Sequence, residues 1–430
     1  MRKIVDDFLQ KYGMHYKTIN IDKHCAEFAS QMKIGLTNQS SSLLMIPAYI
    51  SLKSNLPDNE EVIVIDAGGT NLRIGTVRIS NGRLSIANFE KYPMPGSKSE
   101  VTKAEFFNTL IDYLTPVLDK SDKIGFCFSY PVEILPNCDG KVLSLTKELR
   151  IKGGVDCILG ESLNEMLKYR GKKGKKVVIL NDTVATLLGG VAANDKEYEN
   201  YIGYILGTGT NTSYVELCSN IIKNAELTRT PGQMIINIES GNFDSFDQGV
   251  FDLELDKISQ EPGKYKMEKM ISGAYQGSVI FKTVNAAADD GLFSEAMTKR
   301  LSKMDDFALS DISAFCAEMS GNNMLAELTE TKNDKEILFE IIDASYERSA
   351  LIATSVFAGI FSHCDYGKDS SRPVCITAEG TTFSKSLLFR PKLDRYMSEY
   401  LTGKLGRYYE IITVEDSTLR GTAVAALMTE

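Results

Sequence analysis

The chain lacks most of the sequence features that mark metal-bound, membrane-spanning and nucleic-acid-binding proteins. Its eight cysteines form no C-x-x-C pair and its three histidines stand at no metal-ligand spacing, which argues against a zinc site or a disulfide framework. No stretch approaches the roughly 18 apolar residues that cross a bilayer. Basic residues number 48 against 57 acidic ones, for a formal net charge of −9. Broad electrostatic binding to nucleic acid is therefore disfavoured.

The sequence also lacks a P-loop motif and a signal peptide, which limits the classes of function that it can have. There is no G-x-x-x-x-G-K-[ST] run, which rules out a P-loop as the nucleotide-binding device. The acidic residues Asp6 and Asp7 lie within the first seven positions, and the N-terminal region lacks the uninterrupted apolar segment of a signal peptide, so we predict no secretory signal. With 430 residues, 43% of them hydrophobic and 24% charged, the chain has the composition of a globular protein of about two domains. We expect a cytoplasmic protein with reduced thiols and no membrane partner; sequence leaves its oligomeric state open as monomer or homodimer.

Strand and helix patterns alternate along the chain, as they do in α/β proteins. The apolar run at residues 62–65 predicts a buried strand, and a second Gly-turned hairpin at 201–217 restarts the same pattern. Two hairpin-led units indicate an internal duplication of fold. The other predicted strands are 73–79, 84–92, 124–129, 177–181, 374–378 and 409–414, and the predicted helices are 103–118, 155–168, 337–361 and 420–427.

Two Gly/Thr-rich turns each follow a predicted strand. They read Asp66-Ala67-Gly68-Gly69-Thr70-Asn71 and Gly207-Thr208-Gly209-Thr210-Asn211. Glycines let the backbone approach a polyanion with its N–H groups free. Each turn alone fits a plain hairpin as well; together they would hold a phosphate tail from two sides. The carboxylate of Asp66 is expected to hold Mg²⁺ through water, because Mg²⁺ keeps several waters and takes few protein carboxylates.

Between the two turns, Asn181-Asp182-Thr183 joins an apolar run to a run of small residues. This places a carboxylate at the end of a buried strand and the beginning of a helix, where α/β proteins usually do their chemistry. The pattern predicts that Asp182 deprotonates a hydroxyl beside a bound phosphate. The alternative is that Asp182 serves only as a helix N-cap.

Taken together and in order, these motifs resemble the hexokinase branch of the actin-like sugar kinase superfamily over roughly residues 60–425. The first turn, extended to Leu72-Arg73, resembles the family's first phosphate motif, and the second turn resembles its second. The remaining similar segments are Phe126-Cys127-Phe128-Ser129-Tyr130-Pro131, Leu145-Thr146-Lys147, Asn237-Ile238-Glu239, Met267-Glu268-Lys269-Met270-Ile271-Ser272-Gly273 and Glu379-Gly380-Thr381. The chain departs from the family in having no tryptophan, in Ser240 after Glu239, and in Glu379 where the family has aspartate.

The resemblance implies a role for each matched residue. Asp182 and Lys147 would be catalytic, with Asp182 as the general base. The sugar would be bound by Ser129, Thr146, Lys147, Asn181, Asp182, Asn211, Asn237, Glu239 and Glu268. The ATP and its Mg²⁺ would be held by Asp66, Gly68, Gly69, Thr70, Asn71, Arg73, Gly207, Thr208, Gly209 and Gly380.

The resemblance further implies an α/β fold of two actin-like, ribonuclease H-like domains flanking a deep cleft. We expect a small domain of residues 61–186 plus 417–430 and a large domain of residues 1–60 plus 187–416. The expected activity is ATP-dependent phosphorylation of a hexose at its 6-hydroxyl, with glucose first and mannose or fructose next. Three alternatives remain at this point: a sugar sensor without turnover, a kinase for an amino sugar such as N-acetylglucosamine, and an actin-like ATPase or chaperone.

Overall fold

The structure is a computed structural model, and it describes residues 2–52, 57–69, 71–80, 83–145, 149–193 and 196–429. The strands are β1 Ile46–Pro47, β2 Glu61–Ala67, β3 Asn71–Ser80, β4 Arg83–Pro93, β5 Val101–Thr102, β6 Lys123–Phe128, β7 Val132–Ile134, β8 Gly140–Val142, β9 Ile151–Lys152, β10 Lys176–Leu180, β11 Tyr201–Leu206, β12 Thr210–Leu217, β13 Gln233–Asn237, β14 Val374–Glu379 and β15 Tyr409–Ile412.

The α-helices are α1 Arg2–Lys11, α2 Ile21–Gly35, α3 Lys103–Leu114, α4 Leu159–Tyr169, α5 Asp182–Ala193, α6 Ala225–Arg229, α7 Val250–Ile258, α8 Lys266–Ile271, α9 Gln276–Asp289, α10 Glu295–Leu301, α11 Leu309–Ala317, α12 Met324–Leu328, α13 Lys332–Cys364, α14 Thr381–Lys385, α15 Phe389–Met397 and α16 Ser417–Met428. Short 3-10 helices occur at Tyr16–Thr18, Cys218–Asn220 and Ser240–Asn242, and a π-helix at Ser398–Lys404.

The two large sheets repeat one topology. A five-stranded sheet has the order β10-β6-β2-β3-β4, and a six-stranded sheet has the order β1-β13-β12-β11-β14-β15. In each, the first hairpin strand is central, pairs antiparallel with the second, and pairs parallel with a later strand. Without the added edge strand β1, the two orders are the same. The predicted duplication of a hairpin-led unit is therefore confirmed, although the residues themselves do not repeat.

Two helices connect the sheets. Helix α5 leaves the five-stranded sheet at β10 and packs on the six-stranded sheet, whereas α16 follows β15 and packs on the five-stranded sheet. The two helices also pack against each other. Because the carboxyl ends of β2, β6, β10, β11 and β14 precede the predicted site motifs, this arrangement directs those motifs toward the space between the sheets.

Each sheet has its own apolar core. The six-stranded sheet shares a core with α1, α2 and the long helix α13, while the five-stranded sheet packs on α3 and α4. None of the described helices, including the 33-residue α13, combines the length and apolar character that crossing a membrane requires.

Helix α4 begins at Leu159, four residues after the predicted start at 155. Asp156 lies in the left-handed region with φ of 64°, so the helix cannot extend back through it. The buried carboxylate of Asp139 accepts hydrogen bonds from the backbone N–H groups of Gly160 and Glu161, at 2.7 and 2.9 Å. The start of α4 is thus set by a cap from 20 residues earlier in the chain.

Candidate active site

A cavity of about 330 Å³ lies where strands of both sheets end. The ends of β2, β6, β10 and β14 contribute Asp66, Ser129, Asp182 and Glu379 to its wall. The full lining is Asp66, Gly68, Gly69, Asn71, Arg73, Lys91, Ser129, Asp182, Ile205, Glu379, Gly380 and Thr418. Seven of the residues assigned to ATP, Mg²⁺ or catalysis from sequence therefore share this one cavity with Ser129: Asp66, Gly68, Gly69, Asn71, Arg73, Gly380 and Asp182.

Asp66 accepts hydrogen bonds from two residues that are far apart in the sequence, one on β3 and one on the C-terminal helix α16. Its Oδ2 accepts hydrogen bonds from the Arg73 guanidinium and from the Thr418 hydroxyl, the latter at 3.0 Å. Arg73 also donates to the Thr418 hydroxyl at 2.8 Å. Arg73 faces Asp66 across the β2–β3 hairpin, while Thr418 lies in the first turn of α16. The first Gly/Thr-rich turn is thus tied to the C-terminal helix α16.

Asp182 is the most electrostatically perturbed group of this cavity. Burial, with smaller contributions from the charges of Glu239, Asp66 and Glu379, raises its pKa to about 7, against an opposing effect of Ser129. The N-cap of α5 is Asn181, whose Oδ1 accepts from the Thr183 backbone N–H at 2.9 Å. The alternative of Asp182 as the cap is therefore wrong, and its carboxylate faces the cavity instead.

Next to Asp182, three side chains form an amide and carboxylate cluster. Asn211 donates to Asn237 Oδ1 at 2.8 Å and to Glu239 Oε1 at 3.4 Å, and Asn237 donates to the same Glu239 oxygen at 2.8 Å. Burial raises the pKa of Glu239, while the two amides lower it. Glu239 also has a left-handed backbone, with φ of 58°, and such strain in a non-glycine residue is typical of functional sites.

The carboxylate of Glu268 is the reason why position 209 in the second turn must be glycine. Its Oε2 accepts a hydrogen bond from the Thr210 backbone N–H at 2.9 Å, and a Cβ at Gly209 would lie 2.5 Å from that oxygen. Burial and the charges of Glu239 and Asp182 together raise the pKa of Glu268 to about 7, although the Thr210 N–H and Lys269 act to lower it. Gly209 therefore makes room for a carboxylate; its predicted contact with phosphate stays a prediction.

Close backbone contacts join the second turn to the segments that contain Gly273 and Gly380. Gly380 has φ of 118°, and a Cβ there would lie 2.8 Å from Gly207 N and closer still to the Leu206 carbonyl. Gly207 O accepts from Gly273 N at 2.8 Å and from the Thr382 hydroxyl at 3.0 Å. Thr208 is exposed on the same turn. Thr70, Thr146 and Lys147 lie outside the described residues, so their predicted roles stay predictions.

Two lining residues were missed by sequence reasoning. Lys91 pairs with Arg73 across β3 and β4 and adds a second cation to the cavity wall. Thr418 reaches Asp66 only because α16 packs beneath the five-stranded sheet. The strand register could have indicated Lys91, whereas no local pattern indicates Thr418.

The raised pKa of Glu268 predicts a cost in stability that depends on pH. A carboxyl group whose folded pKa exceeds its unfolded value destabilises the fold increasingly as pH rises from about 4.5 through about 7. Glu268→Gln should therefore raise the thermal midpoint of the ligand-free protein by ~2 °C at pH 8 and by less than ~1 °C at pH 5. Differential scanning fluorimetry measures both. Glu254→Gln, at an exposed position, should change neither, and equal gains at both pH values would contradict the assignment.

Comparison with known proteins identifies the family. Two hexokinase family models match, at residues 4–192 and 201–428. Mouse Hexokinase-3 is 27% identical over 460 residues, covering all of this chain and 48% of its own length. Spinach Hexokinase-1 is 27% identical over 433 residues, covering 93% of this chain and 84% of its own. The chain thus spans about half of the mouse protein.

The fold comparison agrees. A solved hexokinase from Schistosoma mansoni, complexed with glucose, superposes with a TM-score of 0.76 at 22% identity, covering 98% of this chain and 99% of that one. This confirms the predicted α/β fold of two actin-like domains. The residue boundaries of the two domains stay a prediction. The second of the two sequence matches alone covers more than half of the chain, and the chain belongs to the hexokinase family.

Proposed function

We propose that this protein transfers the γ-phosphoryl group of ATP to the 6-hydroxyl of a hexose, with glucose as the first substrate and mannose or fructose next. The observation that supports it best is Asp182, a carboxylate with its pKa raised to about 7, at the boundary of two different surroundings. On one side lies the glycine-lined cavity, and on the other lies the cluster of Asn211, Asn237 and Glu239.

Asp182 is the general base in this proposal. A base acts best when its pKa lies near the working pH, because it is then both deprotonated and able to take a proton. The carboxylate would accept the proton of the 6-hydroxyl as the oxygen attacks the γ-phosphorus and the bond to the β-phosphate oxygen of ATP breaks. Ser129 lines the same cavity and lowers the pKa of Asp182, which favours the charged form of the base.

The cavity side would bind the phosphates. Gly68, Gly69 and Gly380 leave the backbone open, and Arg73 and Lys91 supply positive charge. Three carboxylates, Asp66, Asp182 and Glu379, line the same cavity, and this donor set fits a hard divalent cation. Asp66, whose Oδ2 accepts from Arg73 and Thr418, would hold Mg²⁺ through water, because Mg²⁺ keeps several waters and takes few protein carboxylates. When bound, Mg²⁺ would neutralise phosphate charge.

The cluster side would bind the sugar. A hexose offers many donors and acceptors, and each needs a partner when water is expelled. Asn211, Asn237, Glu239 and Glu268 supply amide and carboxylate groups, and Glu239 has the strained backbone that is typical of functional sites. Asn181 uses its amide oxygen for the α5 cap, which leaves its NH₂ group as the donor for a sugar hydroxyl.

The raised pKa values predict the pH profile. Protonation removes the base, so kcat/KM for the hexose should fall as pH drops through about 7, to roughly a tenth at pH 6 of its value at pH 8. Asp182 and Glu268 interact, so the profile reports their coupled titration. Steady-state rates between about pH 5.5 and 8.5 test this. Glu268→Gln should keep the acid limb; a flat profile in the wild type would contradict the assignment of the base.

The proposed function is tested by a coupled assay of ADP release with Mg-ATP. Glucose, mannose, fructose and N-acetylglucosamine are run side by side with a no-sugar blank. Sugar-dependent turnover supports the kinase and ranks its substrates. Sugar binding without turnover would favour a sensor, and sugar-independent hydrolysis of ATP would favour an actin-like ATPase.

A further inference from the structure

A second cavity, of about 470 Å³, lies where the two halves of the molecule meet. The loop at residues 35–44, strand β1, Lys223 and Asn224 form its walls on the side of the six-stranded sheet, and β7 forms its wall on the side of the five-stranded sheet. It shares no lining residue with the active-site cavity. Pockets of this size hold small molecules. Most of its lining residues carry hydroxyl, amide or charged groups, so the cavity fits a hydrophilic ligand.

Lys223 is the one cation among the described residues that line this cavity. Its ammonium group donates to the Leu44 carbonyl at 2.7 Å, which uses one of its three N–H groups. No carboxylate in the described part of the chain lies within salt-bridge distance of it, and burial lowers its pKa to about 8. A half-buried ammonium group without a counter-ion is costly. An anion in the cavity would supply the missing charge and accept the remaining N–H groups.

The loop at residues 35–44 adds uncharged hydrogen-bonding groups to the cavity. Its course is fixed by Ser41, whose hydroxyl donates to Gln31 Oε1 of α2 at 2.8 Å. Lys223 holds the loop close to its own ammonium group, because its backbone N–H donates to the Leu36 carbonyl at 2.8 Å and its side chain to the Leu44 carbonyl. Three further side chains of the loop are exposed along the cavity: Asn38, Gln39 and Ser40. Their amide and hydroxyl groups can donate hydrogen bonds to the oxygens of a ligand.

Tyr49 lines the same cavity and bonds to both halves of the molecule. Its hydroxyl accepts a hydrogen bond from Asn224 Nδ2 at 2.8 Å on one side, and its carbonyl accepts from Cys138 Sγ at 3.6 Å on the other. Its ring packs against the apolar cores of both sheets. Its backbone lies in the left-handed region with φ of 53°, a strain that persists only where the surrounding structure enforces it. A ligand in this cavity therefore contacts a residue at which the two halves are joined.

We propose that this cavity is a second ligand site: it binds a small hydrophilic oxyanion, a phosphate or a carboxylate, through the ammonium group of Lys223, and its occupancy is coupled through Tyr49 to the arrangement of the two halves. The binding part stands on the cavity and its hydrogen bonds alone. The coupling part rests on the proposed function, because a hexose bound between the halves is what would change their arrangement.

Isothermal titration calorimetry with inorganic phosphate and with citrate, at matched ionic strength, tests the binding part. Lys223→Gln removes the charge but keeps a donor for the loop, so it should weaken phosphate binding ~10-fold or more, whereas Lys223→Arg should stay within ~3-fold of the wild type. Glu133→Gln removes the acid of the cavity wall and should strengthen binding ~2-fold. Lys33→Gln, at an exposed lysine in the last turn of α2, is the matched control. The anion whose affinity depends more on Lys223 identifies the ligand class.

Proton uptake gives a second readout of the same site. A pKa of about 8 leaves the Lys223 amine partly neutral at pH 8, and a bound anion favours its charged form. Sulfate, which itself takes up no proton at this pH, should therefore bind with uptake of up to about half a proton per site. Calorimetry in buffers of different ionisation enthalpy measures it. Glu133 and Tyr49 are the other titratable groups of the described lining, so loss of the uptake in Lys223→Gln assigns it to Lys223.

The coupling part is tested with glucose. Saturating glucose should change the affinity for phosphate by ~3-fold or more, and phosphate should change the affinity for glucose by the same factor, because linkage is reciprocal. In Lys223→Gln, phosphate should no longer change the affinity for glucose, while glucose alone binds as it does to the wild type. Phosphate that acts from the active-site cavity would keep its effect in this variant.

Failure of this inference can be told from failure of the proposed function. If the wild type turns over no sugar, the function fails, and the anion titrations still test the site. Wild-type affinity for both phosphate and citrate in Lys223→Gln would overturn the site. Equal phosphate affinity with and without glucose, in a protein that does bind glucose, would overturn the coupling. A lowered melting temperature in Lys223→Gln with anion binding intact would make Lys223 an anchor of the loop only.

Discussion

Replacing Asp182 by alanine or asparagine should lower kcat by ~10³-fold or more while glucose binding stays within a few-fold of the wild type. The carboxylate is the group whose pKa is raised to about 7 at the meeting point of the cavity and the sugar cluster. Removing it leaves Asn211, Asn237 and Glu239 bonded to one another, so the sugar contacts survive. The coupled assay gives kcat, and calorimetry gives the affinity for glucose.

The pair Asp182→Asn and Ser129→Ala tests the base more closely. Ser129 acts to lower the pKa of Asp182, so Ser129→Ala should keep measurable turnover with the acid limb of its pH profile displaced to higher pH. Asp119→Asn, on an exposed loop, should be indistinguishable from the wild type. Wild-type turnover in Asp182→Ala would disprove the base assignment.

Most of the candidate site could be predicted because its residues follow strand ends. An apolar run bounded by glycines identifies a strand, and the carboxyl ends of parallel strands meet at one edge. Asp66, Ser129 and Asp182 come together by this rule. The hairpin predicted at 201–217 by the same logic forms as β11 and β12, which together span Tyr201 to Leu217.

What could not be predicted depends on distant parts of the chain. Strand β13 was missed because its five residues carry too short a pattern to separate strand from helix, although Asn237 at its end was identified by motif. The cap that Asp139 gives to α4 and the bond from Thr418 to Asp66 form only after the fold has assembled. Local sequence contains no signal for either contact.

At the crossing of α5 and α16, replacing Gly421 by alanine should change the free energy of unfolding. Helix propensity and packing predict opposite signs for this change. In an exposed helix interior, glycine to alanine stabilises by up to ~1 kcal/mol. Gly421 in α16 instead faces the backbone of α5. A Cβ there would lie 2.7 Å from Gly189 N and 2.6 Å from the Ala185 carbonyl carbon, and closer still to the carbonyl oxygen. Backbone atoms cannot rotate away as a side chain can, so the helices must separate.

Gly421→Ala should therefore destabilise the protein by ~3 kcal/mol, since an inserted methyl group in a close-packed contact forces the backbone to shift. Thr418 lies one turn earlier on α16 and bonds Asp66, so the same displacement should also raise KM for ATP more than KM for glucose. Urea unfolding and steady-state kinetics measure the two effects. Gly403→Ala is the matched control, because its Cβ would meet its nearest atom at 3.5 Å. If Gly421→Ala unfolds at the same urea concentration as Gly403→Ala, the helices do not pack as tightly as the structure shows, and propensity decides the sign after all.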